Sequence, residues 1–137
     1  MARKDSADEE LVRRAKRARA NAYSPYSRVK IGTAVLTEDG KIYTGCNIEN
    51  SSFGLSNCAE RTAIFKAVSE GHKKLRAIAV VGETRDYTKP CGACRQVMVQ
   101  FNPRLRIIRA GLDGYRSETT AEELLPEAFN PPSLTKT

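Results

Sequence analysis

The stretch that decides the fold runs from residue 75 to residue 110 and reads LRAIAVVGETRDYTKPCGACRQVMVQFNPRLRIIRA. Its beginning, Leu75–Gly82, is an apolar run with the length and composition of a buried strand. A helix is predicted over Cys91–Phe101, directly after Pro90, and Leu105–Ala110 is typical of another strand. Strands that alternate with helices in this way predict an α/β architecture with helices on the faces of a sheet.

Hydrophobic periodicity and turn residues predict further elements on both sides of this stretch. Leu11 and Ala15 fall on one helical face, and Glu38-Asp39-Gly40 is a hairpin turn. The other predicted elements are a helix over Ser6–Ala22 with Ser6 in a capping box, strands over Val29–Thr37 and Lys41–Ile48, a helix over Cys58–Glu70, a weak strand over Arg116–Thr119 and a helical turn over Ala121–Leu125. This order predicts one domain over residues 1–137, a three-layer α/β/α sandwich around a mixed sheet of about five strands, with a loose tail after about residue 129.

The composition indicates a folded chain, because 137 residues with 40% hydrophobic and 28% charged residues can bury a core. The longest apolar stretch is far shorter than the roughly 20 residues that span a membrane, and the N-terminal residues form no signal-peptide core. We therefore expect a cytoplasmic protein with no membrane partner. The net charge of +7 raises nucleic acid as a partner. Much of that charge lies on the first predicted helix, where it favours a solvated face or a contact between subunits.

Four cysteines and one histidine restrict the chemistry of the chain. The single histidine, His72, excludes a two-histidine zinc motif and is predicted to be an exposed turn residue. In a chain with no secretion signal, four cysteines favour metal binding or reactive thiols over disulfides.

Three of the cysteines are predicted to begin helices. Cys91 and Cys94 lie in the first turn of one helix, and Cys58 begins another after a polar loop. Free N–H groups and the dipole at a helix N-terminus favour thiolate over thiol. Three thiolates would leave the fourth position of a catalytic zinc ion for water. The alternative is a closed site with Cys46 as the fourth ligand, although such sites usually use two close cysteine pairs and Cys46 is more typical of a small buried strand residue.

Glu60 lies two residues after Cys58, close enough on the same helical turn to reach a water on the metal without being a ligand. Zinc lowers the pKa of its bound water from about 15.7 to roughly 7, and a nearby carboxylate can accept that proton and pass it on. The sequence therefore indicates a hydrolytic metal site with Glu60 as its acid–base group.

The motif Cys58-Ala-Glu60, followed by Pro90-Cys91-Gly-Ala-Cys94, resembles the cytidine deaminase family in its small form with three cysteine ligands. The resemblance covers nearly the whole chain. Its other segments are Tyr23-Ser-Pro-Tyr26-Ser27, Gly45-Cys-Asn47-Ile-Glu49-Asn50, Arg61-Thr62-Ala63, Arg95-Gln96 and Glu123-Leu-Leu-Pro126. A lone pair of cysteines would be a weak signal, whereas this ordered set is a strong one.

The resemblance implies hydrolytic deamination of cytidine and deoxycytidine to uridine and deoxyuridine, as in other zinc deaminases. One Zn²⁺ per subunit would be held by Cys58, Cys91 and Cys94, and Glu60 would carry protons to N3 and to the departing amino group. The implied partner is a small nucleoside used in pyrimidine salvage, and the implied assembly is a homotetramer.

The resemblance also assigns residues to the substrate. The implied substrate contacts are Asn47 and Glu49 at the ribose 3′-hydroxyl, the backbone of Ala59 at the base, Val29 beside the base, and Phe129 of a neighbouring subunit over the base. Arg61 and Arg95 lie just after the expected ligands Cys58 and Cys94 in the sequence. Both could donate hydrogen bonds to the sulfurs, which would offset the negative charge of three thiolates.

One position departs from the family pattern, since many members carry a phenylalanine against the pyrimidine where this chain has Val29. The loss of an aromatic contact, worth about 0.5–1.5 kcal/mol, is expected to weaken base binding without changing the reaction.

Two other functions fit parts of the sequence. One is a deaminase of polynucleotides or of another aminopyrimidine nucleoside, and the other is a non-catalytic zinc-binding module that binds RNA or DNA. The carboxylate of Glu49 would repel a phosphate group at the 3′ position, and the basic segment has no interleaved aromatic residues for base stacking. A binding module also has no use for Glu60, so the free nucleoside is the favoured substrate.

Overall fold

The computed structural model describes residues 2–129, with side chains from residue 6 onward. Helices and strands make up most of this part of the chain. In chain order they are α1 (Ala2–Arg19), β1 (Gly32–Thr37), β2 (Ile42–Cys46), α2 (Ala59–Ser69), β3 (Leu75–Gly82), α3 (Gly92–Phe101), β4 (Arg106–Gly111), β5 (Arg116–Thr120) and α4 (Ala121–Leu124), with 3₁₀ turns at Phe53–Leu55 and Arg85–Thr88. The tail predicted beyond residue 129 lies outside the described residues.

The five described strands form one mixed sheet in the order β2-β1-β3-β4-β5. β3 and β4 run parallel because α3 crosses over between them, and the other neighbouring strands are antiparallel. The predicted α/β class with a mixed sheet is confirmed. No helix in the described part of the chain is long and apolar enough to cross a membrane.

Helices cover both faces of the sheet, as a three-layer sandwich requires. On one face, Val35, Ile78 and Ile107 belong to a buried cluster that includes side chains of α2, α3 and α4. On the other face, Leu11 and Ala15 of α1 are buried against the strands. Successive strand residues point to opposite faces, so the apolar runs of β3 and β4 supply both clusters. Each large aliphatic side chain buried in this way contributes about 1.5–3 kcal/mol.

Small residues let α1 approach the sheet closely. A Cβ atom on Gly32 would lie 2.0 Å from the carbonyl oxygen of Ala15, so only glycine fits there. Ala34 and Ala79 on the same face are fully buried. This close packing fixes α1 over β1 and β3, next to the segment that leads from α1 into β1.

Charged residues in the first half of α1 pair with arginines of the last two strands. Asp8 accepts a hydrogen bond from Nη2 of Arg106 at 2.8 Å, and Nε of Arg106 donates to Glu118 at 2.9 Å. Glu9 accepts from Nη2 of Arg116 at 2.7 Å. Basic residues of the second half of α1 stay exposed, among them Arg13, Lys16 and Arg17.

The predicted boundaries of the first helix are wrong. α1 begins at Ala2, so Ser6 lies inside the helix and does not cap it, and the helix ends at Arg19 before Ala22. The contacts of its acidic residues with β4 and β5 join sequence-distant groups, and the sequence periodicity does not reveal them. Of the other elements, β3 has the predicted bounds and α2 lies within one residue of them at each end.

The predicted start of the first strand is also wrong, since Val29 lies outside β1, which begins at Gly32. The side chain of Asn47 takes the backbone groups that a neighbouring strand would otherwise pair. Its Oδ1 accepts from the N–H of Ile31 at 2.8 Å, and its Nδ2 donates to the carbonyl of Val29 at 2.7 Å. The residues before β1 therefore form a loop held by a side chain.

One end of the sheet gathers the segments that carry the motif residues. Gly32 at the start of β1 pairs with Cys46 at the end of β2 and with Val81 near the end of β3. The segment before β1, the loop after β2 and the loop after β3 therefore meet at the same edge. Because α2 and α3 begin after these loops, their N-termini also lie there.

Candidate active site

A cavity of about 270 Å³ lies at this edge of the sheet. The segment before β1, the loop after β2, the start of α2 and the loop before α3 line it. Its lining includes Val29, Asn47, Glu49, Ala59 and Glu60, together with the sulfur-bearing residues Cys58 and Cys91. The structure thus brings together residues that are 62 positions apart in the chain.

Three thiols meet next to this cavity, and two of them, those of Cys58 and Cys91, belong to lining residues. Cys58 and Cys91 occupy the N-cap positions of α2 and α3, and Cys94 lies buried in the first turn of α3. The three Sγ atoms lie within 4.8 Å of one another, and Sγ of Cys58 is 3.6 Å from Sγ of Cys91. The unpaired N–H groups of two helix N-termini therefore face one cluster of sulfur atoms.

The surroundings shift the pKa values of Cys58 and Cys94 in opposite directions. Hydrogen bonds from Cys94 and then from Arg61 and Cys91 lower the pKa of Cys58 to about 5. The contact with Cys58 raises the pKa of Cys94, which burial raises further. Cys58 is therefore a thiolate at neutral pH, and Cys94 holds its proton until a cation replaces it.

The spacing of the sulfur atoms fits a zinc ion. Ligands bound at about 2.3 Å in a tetrahedron lie about 3.8 Å apart, close to the separation of the Cys58 and Cys91 sulfurs. Soft thiolates favour Zn²⁺ over hard cations such as Mg²⁺. Cys46, the fourth cysteine, lies half-buried on β2 outside this cluster, so the thiols of the described residues provide three ligands.

Of the two arginines considered for the sulfurs, only Arg61 reaches one. Its Nη2 donates to Sγ of Cys58 at 3.3 Å, and its buried Nε has no hydrogen-bond partner among the described residues. The expectation for Arg95 is wrong. Its Nε donates to the carbonyl of Pro90 at 2.8 Å and its Nη1 to the carbonyl of Leu124 at 3.0 Å. Arg95 instead ties the start of α3 to the end of α4.

Glu60 lies in the first turn of α2 with 5% of its surface exposed, and its side chain lines the same cavity as Cys58. Burial raises the pKa of Glu60 to about 7, with a smaller contribution from the negative charge of Cys58. A carboxyl group with this pKa can both accept and donate a proton near neutral pH.

Asn47 and Glu49 line the cavity and also hold its wall. Oε1 of Glu49 accepts from the N–H groups of Tyr26 and Ser27 at 3.0 and 3.1 Å, and its Oε2 accepts from the hydroxyl of Ser27. These hydrogen bonds lower the pKa of Glu49, the bond from the Ser27 side chain contributing most. The side chain of Asn47 holds the next part of this segment through hydrogen bonds with the backbone of Val29 and Ile31. Both side chains are therefore fixed in place before any ligand binds.

Ala59 connects the cavity to the sheet. It is fully buried, and its carbonyl accepts from the hydroxyl of Thr33 at 2.7 Å. Its N–H lies in the first turn of α2, where N–H groups have no partner within the helix. A Cβ atom on Gly45 would lie 2.7 Å from that same carbonyl, so the start of α2 packs directly on β2.

Several lining residues were missing from the sequence predictions. They are Ser27, Ile31, Ser56, Asn57, Tyr87 and Lys89. Most lie within four residues of a motif residue, so their position next to the predicted ligands was the available signal. Their contact with the cavity, however, depends on how three loops pack against one another.

Two residues singled out in the sequence, Phe129 and His72, lie outside the lining of the cavity. Phe129 does not line the cavity of its own chain; it is 73% exposed, and its carbonyl accepts from Nε2 of Gln96 at 2.7 Å. His72 is not an exposed turn residue as predicted. It is half-buried, lies 5.5 Å from the ring of Tyr43 and contacts Asp39 at 3.3 Å.

Three thiols at two helix N-termini, with a buried carboxyl group beside them and a cavity above, define a zinc-dependent hydrolase site. Residues 5–109 match the profile of the cytidine and deoxycytidylate deaminase zinc-binding region. The cytidine deaminase of Sporosarcina psychrophila is 50% identical over 127 residues, which are 92% of this chain and 93% of that protein.

Solved structures of cytidine deaminases also resemble this chain. The cytidine deaminase of Burkholderia pseudomallei has a TM-score of 0.85 and 50% identity, covering 88% of this chain and 98% of that one. The cytidine deaminase of Mycobacterium tuberculosis has a TM-score of 0.77 and 37% identity, covering 90% and 97%. The chain belongs to the cytidine deaminase family, and the metal of its three-cysteine site is zinc.

Proposed function

We propose that this protein catalyses the hydrolytic deamination of cytidine and deoxycytidine to uridine and deoxyuridine, with release of ammonia. The observation that carries the proposal is the buried carboxyl group of Glu60 in a cavity next to a cluster of three thiols. Relatives named cytidine deaminase, with half of their residues identical, support the choice of substrate. Incubation of the zinc-loaded protein with cytidine, followed by the change in ultraviolet absorbance, tests it.

In this mechanism Cys58, Cys91 and Cys94 would hold Zn²⁺, which would supply acidification of the water that attacks C4 of the base. Glu60 accepts one proton of the attacking water at its carboxylate and delivers it to N3 as the bond from oxygen to C4 forms. It then accepts the second proton from the hydroxyl on C4 and delivers it to the amino group, which leaves as ammonia when the C4–N bond breaks. Its pKa of about 7 suits both directions of transfer. Arg61 donates to the thiolate of Cys58 and offsets part of the negative charge of the sulfur cluster.

Asn47 and Glu49 position the sugar. A carboxylate offers about four acceptor sites, and three of those of Glu49 are used by Tyr26 and Ser27. One N–H of Asn47 donates to Val29, which leaves its second N–H. A single hydroxyl can donate to Glu49 and accept from Asn47, as the ribose 3′-hydroxyl does in this proposal. A phosphodiester at that position has no proton to donate, so polynucleotides and other nucleic acids are poor substrates.

The base lies between Val29 and the start of α2, with the N–H of Ala59 as a backbone contact. We predict that Val29→Phe lowers KM for cytidine by about twofold to tenfold, because an aromatic ring adds contact with the pyrimidine. Steady-state kinetics checks this, with Leu112→Phe as a control, since Leu112 is also partly exposed but does not line the cavity. An unchanged or raised KM in Val29→Phe would contradict this role.

We further propose a homotetramer in which Phe129 of one subunit covers the base bound by another. In support, Phe129 is largely exposed while Gln96 holds its carbonyl. Light scattering after size exclusion is expected to give four times the chain mass of 15.1 kDa. A particle of 15.1 kDa would exclude the assembly.

The remaining proposals concern the setting of the enzyme. We propose that residues 1–137 form one domain, because the described strands join a single sheet. The four free cysteines suit the reducing cytoplasm, where deamination of free nucleosides would serve pyrimidine salvage. A non-catalytic zinc module is not favoured, since it gives no role to the buried carboxyl of Glu60.

A further inference from the structure

The wall of the cavity contains an aromatic residue that the proposed mechanism does not use. Tyr87 lines the cavity together with Lys89 and Cys91, which follow it at alternate positions on one short segment. Among the described lining residues Tyr87 is the only aromatic one, and Val29 and Ile31 are aliphatic. Because its segment ends on a metal ligand, Tyr87 belongs to the side of the cavity where the reacting base must lie.

The backbone of Tyr87 is firmly held. It lies in the 3₁₀ turn Arg85–Thr88, and its N–H donates to the carbonyl of Thr84 at 3.0 Å. Thr88 is fully buried, with its hydroxyl donating to the carbonyl of Arg85 at 2.7 Å. A Cβ atom on Gly82 would lie 2.6 Å from the carbonyl oxygen of Tyr87, so this turn packs directly on the end of β3.

The ring of Tyr87, in contrast, makes few interactions within the described part of its own chain. It is 45% exposed, and within the described part of the protein it has no aromatic partner and its hydroxyl has no hydrogen bond. A large ring at the wall of a cavity, on an anchored backbone and without an internal packing role, is suited to contact a ligand. A flat pyrimidine is the ligand part that such a ring fits best.

We propose that Tyr87 is a substrate-contacting residue whose ring packs against the cytosine base and raises its affinity. This inference rests on the proposed deaminase function. It assigns the aromatic contact of this cavity to the loop before α3, a segment with no assigned substrate role. The ring, and not the hydroxyl, carries the effect, because the hydroxyl has no partner to orient it.

The test compares Tyr87→Ala, Tyr87→Phe and a matched control by steady-state kinetics with cytidine. Tyr87→Ala is expected to raise KM, and the inhibition constant of the product uridine, by about twofold to tenfold, with little change in kcat. Tyr87→Phe keeps the ring and is expected to stay close to the parent protein. Phe65→Ala removes an aromatic ring of nearly equal exposure, 46%, outside the cavity and is expected to change neither constant.

Two further measurements separate this role from others. If Tyr87→Ala is poorly folded, Tyr87→Leu keeps the bulk of the side chain and is expected to show the same rise in KM. Light scattering is expected to give the same particle mass for all variants. A Tyr87→Ala protein with the KM of the parent, a Tyr87→Phe protein as impaired as Tyr87→Ala, or a rise in KM that follows loss of assembly would each overturn the inference. Absence of turnover in the parent protein would instead overturn the proposed function.

Discussion

Glu60→Gln is expected to lower kcat for cytidine by a factor of about 10²–10⁴, the range of a general acid–base group, while zinc stays bound. Glutamine has nearly the same size but cannot accept and return a proton at the carboxylate. Glu60 lies beside the thiol cluster without belonging to it, so the metal content should remain one ion per subunit. The measurements are turnover of cytidine and the zinc content of the same preparation.

Glu70→Gln is the matched control for this substitution, because Glu70 is exposed at the other end of α2. It is expected to keep the kcat of the parent protein. Full activity in Glu60→Gln would contradict the role of Glu60 in proton transfer. Loss of zinc together with activity would show that Glu60 supports the metal and not the proton transfer.

Cys58→Ser is expected to remove most of the zinc and with it the turnover of cytidine. The thiol of Cys58 is the one that its neighbours hold deprotonated, with a pKa of about 5, and a serine hydroxyl does not ionise in this range. Substitution of residues behind a ligand lowers metal affinity about 10–100-fold, so loss of a ligand itself should exceed about 100-fold. Competition with a chromogenic chelator measures this affinity directly.

Cys46→Ser provides the control with the same chemical change, since Cys46 lies on β2 outside the thiol cluster. It is expected to retain both zinc and activity. Zinc bound to Cys58→Ser with the parent affinity would contradict the assignment of the ligands. Loss of zinc in Cys46→Ser would support the closed four-cysteine site instead.

The parts of the fold predicted from sequence are those fixed by local patterns. The run Leu75–Gly82 is apolar except for Arg76, as expected of a strand buried on both faces, and it forms β3 with the same bounds. Cys58 and Cys91 follow polar or turn residues at predicted helix starts, and both are N-caps in the structure. Their convergence follows from the sheet, because the loops before α2 and α3 leave it at one edge.

The incorrect predictions involve side chains that interact across the chain. A β-branched residue such as Val29 is typical of a strand. The side chain of Asn47, however, hydrogen-bonds to the carbonyl of Val29 and the N–H of Ile31, so β1 begins only at Gly32. Arg95 follows Cys94 directly, but the next residue of a helix is rotated about 100° away, so it faces the end of α4 and not the sulfurs.

The position of Tyr87 in the cavity wall could not be predicted from the sequence either. Nothing in the residues around it distinguishes it from an ordinary loop residue. Its place at the cavity depends on Gly82, where the absence of a side chain lets the turn pack on β3. Interactions of this kind become visible only when strands and loops are placed in three dimensions.

Conversion of cytidine by the zinc-loaded protein tests the proposed deaminase activity most directly, with uridine measured by chromatography and ammonia measured in the same sample. The site predicts one uridine and one ammonia formed for each cytidine consumed, and the same for deoxycytidine. Zinc-loaded, folded protein that leaves cytidine unchanged would contradict it.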